Sequence, residues 1–205
     1  IMSSDWSSDV CSSDLVHDWG GMIGTIYALR HPNRIKRLIL TNTAGFPPPG
    51  NKGLPIRLWL IRYLTFFAVP AVLGVNLFAR AALYMAPRKP LPPEVKAGLI
   101  APYDCPRHRI ATLKFVQDIP MTAKDPSHEL VTWADHHLDR LSHIPMLLLW
   151  GYHDFVFDTD YLAEWQRRFP HARTRLFGDA GHYLLEDQPD AVLAEVKDFL
   201  KKHLS

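Results

Sequence analysis

The sequence predicts an α/β protein with a mostly parallel sheet, interrupted by a helical insertion. Three observations predict it. Leu15 to Thr41 runs strand, tight turn, helix, strand, which is a βαβ unit and so implies parallel pairing. A proline-dense stretch follows, with 13 of the 17 prolines between Pro47 and Pro126. The α/β pattern then resumes at Pro145 to Trp150 (PMLLLW), a continuous apolar run suited to a strand buried on both faces.

Each element has a local cause. Leu15 to His17 reads as a strand end, and Asp18-Trp19-Gly20-Gly21 as a tight turn. Met22 to Arg30 is largely apolar and helical, and Pro32 stops it. Arg34 to Thr41 (RIKRLILT) ends in an apolar, partly β-branched run, the mark of a strand. Pro47-Pro48-Pro49-Gly50 cannot continue regular structure. Between the later prolines, helices are predicted over Ile56 to Ala68, Val72 to Met85, Pro93 to Ile100 and Arg107 to Val116. After the PMLLLW strand, Tyr161 to Phe169 forms a helix with Leu162, Trp165 and Phe169 on one face. Arg173 to Phe177 alternates like a strand, and Pro189 to Leu204 sets Val192, Val196, Phe199 and Leu200 along one helical stripe. The expected division is a core of residues 15–45 and 144–205 with a helical cap of residues 46–143.

Composition narrows the class. The chain has 205 residues, 47% hydrophobic residues and a net charge of +2, which excludes wholesale disorder and a protein built around nucleic acid. Two cysteines, Cys11 and Cys105, make no disulfide scaffold, so a reducing, cytoplasmic setting is expected. No signal-peptide pattern is visible. The 17 uncharged residues between Arg62 and Arg80 include Pro70, Gly74 and Asn76; a buried or surface-lying cap helix suits them better than a membrane span. The cap carries 12 basic and 7 acidic residues against 7 and 10 in residues 144–205. That asymmetry weakly favours an anionic or membrane-adjacent partner at the cap, and a solvated surface is the commoner explanation. Residues 1–14 form a separate low-complexity leader. Three Ser-Ser-Asp units within residues 3–14 read either as a solvated linker or as a translated adapter or assembly scar, and the second reading is preferred.

The chemistry lies in three turns, each after a strand. Val16-His17-Asp18-Trp19-Gly20 has the shape of a nucleophile elbow, with Asp18 where esterases carry Ser. Trp150-Gly151-Tyr152-His153-Asp154 places Asp154 just past a strand, and Asp179-Ala180-Gly181-His182 does the same for His182. Nucleophile, acid, histidine is the chain order of an α/β-hydrolase triad. Catalytic groups of open α/β sheets gather at the carboxyl ends of strands. Singly, each residue has a plain alternative: Asp18 as a helix cap, His182 as a loop histidine. A carboxylate is ionised at pH 7 and attacks directly, which suits displacement at saturated carbon or opening of a strained ring. His182, oriented by Asp154, could then activate water or shuttle a proton, and the Trp19 backbone N–H could supply half of an oxyanion hole.

His17-Asp18-Trp19-Gly20-Gly21 resembles the elbow of the haloalkane dehalogenase family, in which the indole N–H after the nucleophile holds the halide or a substrate oxygen; Trp19 takes that position. Trp150 to Asp158 (WGYHDFVFD) is similar to the acid segment of the family's third subfamily. Ala101-Pro102-Tyr103-Asp104, Arg109-Ile110-Ala111-Thr112 and Phe115 to Pro120 resemble its cap, and Ala180-Gly181-His182-Tyr183 with Glu186-Asp187 its histidine segment. The resemblance implies an α/β-hydrolase fold, Asp18, Asp154 and His182 as catalytic residues and Trp19 at the halide or oxyanion position. It implies no cofactor and no metal. That subfamily includes decarboxylases that convert cis-dialkyl β-lactones to alkenes and carbon dioxide in bacterial olefin biosynthesis. The resemblance favours this activity, with haloalkane hydrolysis as the alternative and epoxide hydrolysis or a non-catalytic binding role behind it. It further implies a small apolar substrate and assembly with olefin-pathway synthase and dehydrogenase partners. The apolar stretch from Leu64 to Ala79 could line a site for alkyl chains, or simply pack the cap on the core.

The family's sheet has eight strands, and this sequence supplies about four, the C-terminal half. The resemblance therefore places about a hundred residues upstream, with an Asn-bearing loop for which no residue here matches. The first strand is expected to leave apolar surface uncovered, and the 205-residue chain by itself to be inactive or unstable.

Other constellations have plain alternatives. Asp135, Asp139 and His143 could share a helical face and bind a metal, or belong to a solvated helix. Tyr63, Tyr84 and Tyr103 are the cap tyrosines that epoxide chemistry would need. His153 reads as loop-exposed, and Cys105 as cap packing without a Cys–His arrangement.

Overall fold

A computed structural model describes residues 12–203; most of the leader, Cys11 included, lies outside the described residues. Its four strands are β1 (Ser12–Asp18), β2 (Ile35–Thr43), β3 (Met146–Gly151) and β4 (Arg173–Phe177). They pair in the order β1-β2-β3-β4, all parallel. β1 begins at Ser12, opposite Ile35, so it reaches three residues into the segment assigned to the leader. Backbone pairing there needs no apolar side chains.

Successive residues of a strand point to opposite faces. Leu38, Leu40, Leu148 and Trp150 therefore join one core with Ala28, Leu29, Trp165 and Phe169. These come from α1 (Trp19–Arg30), α8 (Thr159–Arg168) and the turn after it. The intervening Ile39, Leu147 and Leu149 face the other way, onto Phe177 and onto Val192 and Phe199 of α9 (Pro189–Lys202). Leu38 to Leu40 and Leu147 to Trp150 are at most 2% exposed, so both faces of the sheet centre are covered, as the PMLLLW run predicts. At the β1 side, Leu15, Ile23 and Tyr27 remain exposed, in line with the expected uncovered apolar surface.

Between β2 and β3 the chain forms the helical layer, built from α2 (Ile56–Tyr63), α3 (Thr65–Ala68), α4 (Leu77–Met85), α5 (Pro93–Ile100), α6 (Ile110–Gln117) and α7 (His128–His137). Two of the predicted long helices are broken. The first stops at Leu64 (φ −97°, ψ 69°), and its continuation becomes a π-helical turn over Val69–Gly74, where Pro70 sits. The second is interrupted at Asn76, a left-handed residue (φ 57°) whose amide donates to the Tyr103 carbonyl. Asn tolerates this region better than branched residues do. Arg109 is the hub beneath: its guanidinium donates to the carbonyls of Leu73, Gly74, Tyr103 and Asp104 at 2.7–2.9 Å. Ala68, Val72 and Leu113 form a small core of their own nearby.

Candidate active site

The site sits at the carboxyl ends of β1, β3 and β4. Asp18 ends β1 and precedes the first turn of α1 with φ 50° and ψ −126°. Positive φ at a non-glycine costs energy and persists only where the surroundings hold it. Two devices hold the strain. The Thr43 hydroxyl donates to the Asp18 carbonyl across the β1–β2 pair. Gly21 lets α1 approach β2, since a Cβ there would overlap the Thr43 side chain. Gly20 has open space around it, so of the two adjacent glycines only Gly21 is sterically required.

Asp154 lies in the loop after β3 with its side chain fully buried. One oxygen accepts from the backbone N–H groups of Val156 (2.6 Å) and Phe157 (3.1 Å). The other accepts from His182 Nδ1 at 2.7 Å. This fixes the ring so that Nε2 points at Asp18, 3.7 Å from its Oδ2. Asp18, Asp154 and His182, more than a hundred residues apart at the extremes, are thus brought into one line.

Electrostatics follow from that line. Burial by itself would lower the His182 pKa, but the hydrogen bond to Asp154 and the facing carboxylates of Asp154 and Asp18 outweigh it and raise it to about 10. His17 packs on it, ring centroids 4.7 Å apart, with Nδ1 2.9 Å from the Thr41 carbonyl. Burial and the neighbouring His182 charge push His17 below its ordinary value, so one positive charge resides on the pair. A raised folded-state pKa adds stability in full below the unfolded value of 6.5, lost as pH rises through about 10. Thermal midpoints should therefore fall between pH 6.5 and 10, and His182→Gln should flatten that slope. Equal slopes for wild type and variant in a calorimetric series would refute the ion-pair description.

Trp19 opens α1 and stacks on Phe115 (centroids 5.3 Å apart, interplanar angle 27°). As the first helical residue it has a backbone N–H without an intrahelical acceptor. Asp18, Trp19 and His182 border a cavity of about 500 Å³, walled mainly by apolar residues such as Leu58, Ile61, Phe67, Val72 and Phe78. The Leu64 to Ala79 stretch thus lines the cavity, and Ala68 and Val72 in it pack on Leu113 within the helical layer. Tyr183 also lines it; burial and the nearby Tyr103 hydroxyl push its phenol above the usual value.

Several supporting groups make long-range contacts around this line. Asp187, buried, accepts from the backbone N–H groups of Gly181 (2.8 Å), Arg88 (2.9 Å) and Lys89 (3.0 Å), tying the His182 loop to the segment after α4. Gly181 packs so closely on the Ala86 carbonyl that a Cβ would collide with it. Lys52 pairs with Asp158 and Asp160 at one wall of the cavity. Asp158, Gly181 and Asp187 lie in the acid and histidine segments singled out above, but nothing in those segments reveals partners as distant as Lys52, Ala86 and Arg88.

The remaining candidates separate. Asp135 lies on α7 and pairs with Arg168 at 2.6 Å, while Asp139 lies in a following 3₁₀ turn and His143 beyond it, so the three do not share one helical face. His153 is exposed, as expected. Cys105 does have a Cys–His arrangement: Asp104, Cys105 and His108 gather on one cap turn, with His108 Nδ1 2.6 Å from Asp104. The tight 3₁₀ turn at Pro106 brings His108 back over Cys105, which residue spacing alone does not reveal.

Fold and site together define an alpha/beta hydrolase, and the chain belongs to that fold family, whose pattern matches residues 15–71 and 107–189. It is 42% identical over 187 residues to the cis-3-alkyl-4-alkyloxetan-2-one decarboxylase of Shewanella oneidensis, covering 91% of this chain and 58% of that protein. The corresponding Xanthomonas campestris protein is 35% identical, with 92% and 62% covered. The chain thus spans about three-fifths of the length of these curated relatives. A crystal structure of an ancestral haloalkane dehalogenase superposes with a TM-score of 0.80 at 21% identity, covering 94% of this chain and 69% of that one, a likeness of fold.

Proposed function

We propose that the protein decarboxylates a cis-dialkyl β-lactone to an alkene and carbon dioxide, with Asp18 as nucleophile, His182 and Asp154 as its charge partners and Trp19 at the oxyanion position. The observation that carries this is a carboxylate at a strained elbow, facing an Asp-held histidine at the floor of an apolar cavity. The 42% identity to a protein named for that reaction supports it.

The chemistry balances without added reagents. Asp18 attacks the ring carbon bearing oxygen, and the C–O bond breaks to leave a carboxylate on the adjacent carbon. That carboxylate then departs as carbon dioxide. Its C–C electron pair becomes the alkene bond as the Asp18 ester leaves, which restores the free carboxylate. The His182 imidazolium and the Trp19 N–H offer charge and a hydrogen bond to the carboxylate released on ring opening. Apolar walls suit two alkyl chains.

A second reading rests on the same geometry. Once Asp18 is an ester, His182 loses one of its two anionic partners and its proton affinity falls. It can then activate water, as hydrolysis of an alkyl-enzyme ester from a haloalkane requires. Incubating the full-length protein with a synthetic cis-β-lactone, a bromoalkane and an epoxide decides the order. Alkene from the lactone is expected; bromide release without alkene would replace the first reading with the second.

The same proposal treats residues 46–143 as cap and residues 15–45 and 144–205 as core, in a cytoplasmic protein that assembles with the enzymes supplying its lactone. The free Cys105 thiol suits a reducing setting.

A further inference from the structure

From the cap surface we infer that the arms of the α2–α3 bend dock on an anionic lipid membrane, so that the substrate cavity opens towards the bilayer. This goes beyond the reaction proposed above and does not depend on it.

Three observations converge. The first is exposed apolar surface. Phe66 is 82% exposed and Val69, three residues on along the same helical face, 40%. Trp59 and Tyr63, one turn apart and in ring contact at 5.4 Å, are 43% and 48% exposed. Phe and Val in water are unfavourable, whereas Trp and Tyr suit the headgroup boundary.

The second is charge. Phe46 to Pro92 contains six basic residues and no acidic residue. Arg57, Arg80, Arg88 and Lys89 are exposed. Lys52 and Arg62 are taken up by Asp158, Asp160 and Asp125, so the four exposed cations, on a stretch with no carboxylates of its own, are the ones that match anionic headgroups.

The third is shape and continuity. Ile56–Tyr63 and Thr65–Gly74 together are apolar enough for a membrane segment but bend by 95°, and no single described helix is long and apolar enough to cross. Such a bend lies in an interface instead of spanning it. Phe67 and Leu77, 43% and 47% exposed, also line the cavity, so the outer apolar surface continues inward towards Asp18. A long-chain apolar molecule could pass from bilayer to cavity without exposing its chains to water.

Vesicle flotation tests this with the full-length protein, using phosphatidylcholine vesicles with and without phosphatidylglycerol. Wild type should float with the anionic vesicles, release at high salt, and show a Trp59-dependent blue shift in fluorescence. Phe66→Asp with Val69→Asp should weaken partition at least about tenfold while circular dichroism stays native. Arg57→Gln with Arg80→Gln, which leaves the apolar residues intact, should reduce the preference for phosphatidylglycerol. Failure of wild type to bind anionic vesicles overturns the inference, as does undiminished binding by both variants. A lipid-free dimer that Phe66→Asp dissociates, formed by protein that does not float, would instead assign the surface to a second copy and equally overturn it.

Discussion

Asp18→Asn is expected to lower kcat by at least about 10⁴-fold while an apolar ligand still binds the cavity. The amide is nearly isosteric with the carboxylate, so the strained turn, the Thr43 bond to the Asp18 carbonyl and the packing of Gly21 all persist. What disappears is the oxygen proposed as nucleophile and the carboxylate facing His182. The second loss has its own signature. His182 is raised to about 10 by Asp154 and Asp18 together, so its NMR titration should move down in the variant. A binding scaffold without chemistry would show the titration shift but no turnover to lose. Retention of activity within about tenfold of wild type would remove Asp18 from the nucleophile's role. His182→Gln separates the two reactions further: a bromoalkane should then leave a stable ester on Asp18, visible by intact mass, because water is no longer activated. The lactone should leave no such adduct, because its second step needs no water.

Gly151→Ala is expected to cost at least about 3 kcal/mol of folding stability and to disrupt the site at the same time. Gly151 ends β3, where its N–H donates to Asn42 Oδ1 at 2.8 Å and its carbonyl accepts from the same amide at 3.3 Å. A Cβ there would overlap the Gly181 carbonyl oxygen and reach Ala180 within 3.0 Å. Both neighbours are backbone and cannot rotate away. Relief requires the β3 turn and the His182 loop to part, which stretches the 2.7 Å bond between Asp154 and His182. Gly178→Ala is the control, since nothing lies within 4 Å of its Cβ position. Its change should stay within about 0.5 kcal/mol in urea unfolding. Equal stabilities for the two variants would show that the loops are less closely packed than described.

The parallel strands were legible because their causes are local. PMLLLW and RIKRLILT record burial on two faces of a sheet, and the Trp-Gly-Tyr-His-Asp and Ala-Gly-His segments record where strands end. The order Asp18, Asp154, His182 was legible because parallel strands deliver their carboxyl ends to one side. The helix breaks at Leu64 and Asn76 were not. Both lie in apolar helical runs, and the left-handed turn at Asn76 is stabilised by Tyr103, 27 residues away.

The sequence by itself determined the fold class, the elbow and the three residues in chemical order, since each depends on a few neighbouring side chains. Only the tertiary structure decided the rest. Thr43 supports Asp18 across 25 residues, Asp187 anchors Arg88 across 99, and Lys52 meets Asp158 across 106. Which face of the cap meets solvent was likewise decided there, by the bend between α2 and α3. Contacts of that span depend on how layers close over one another, and no periodicity within a single segment encodes them.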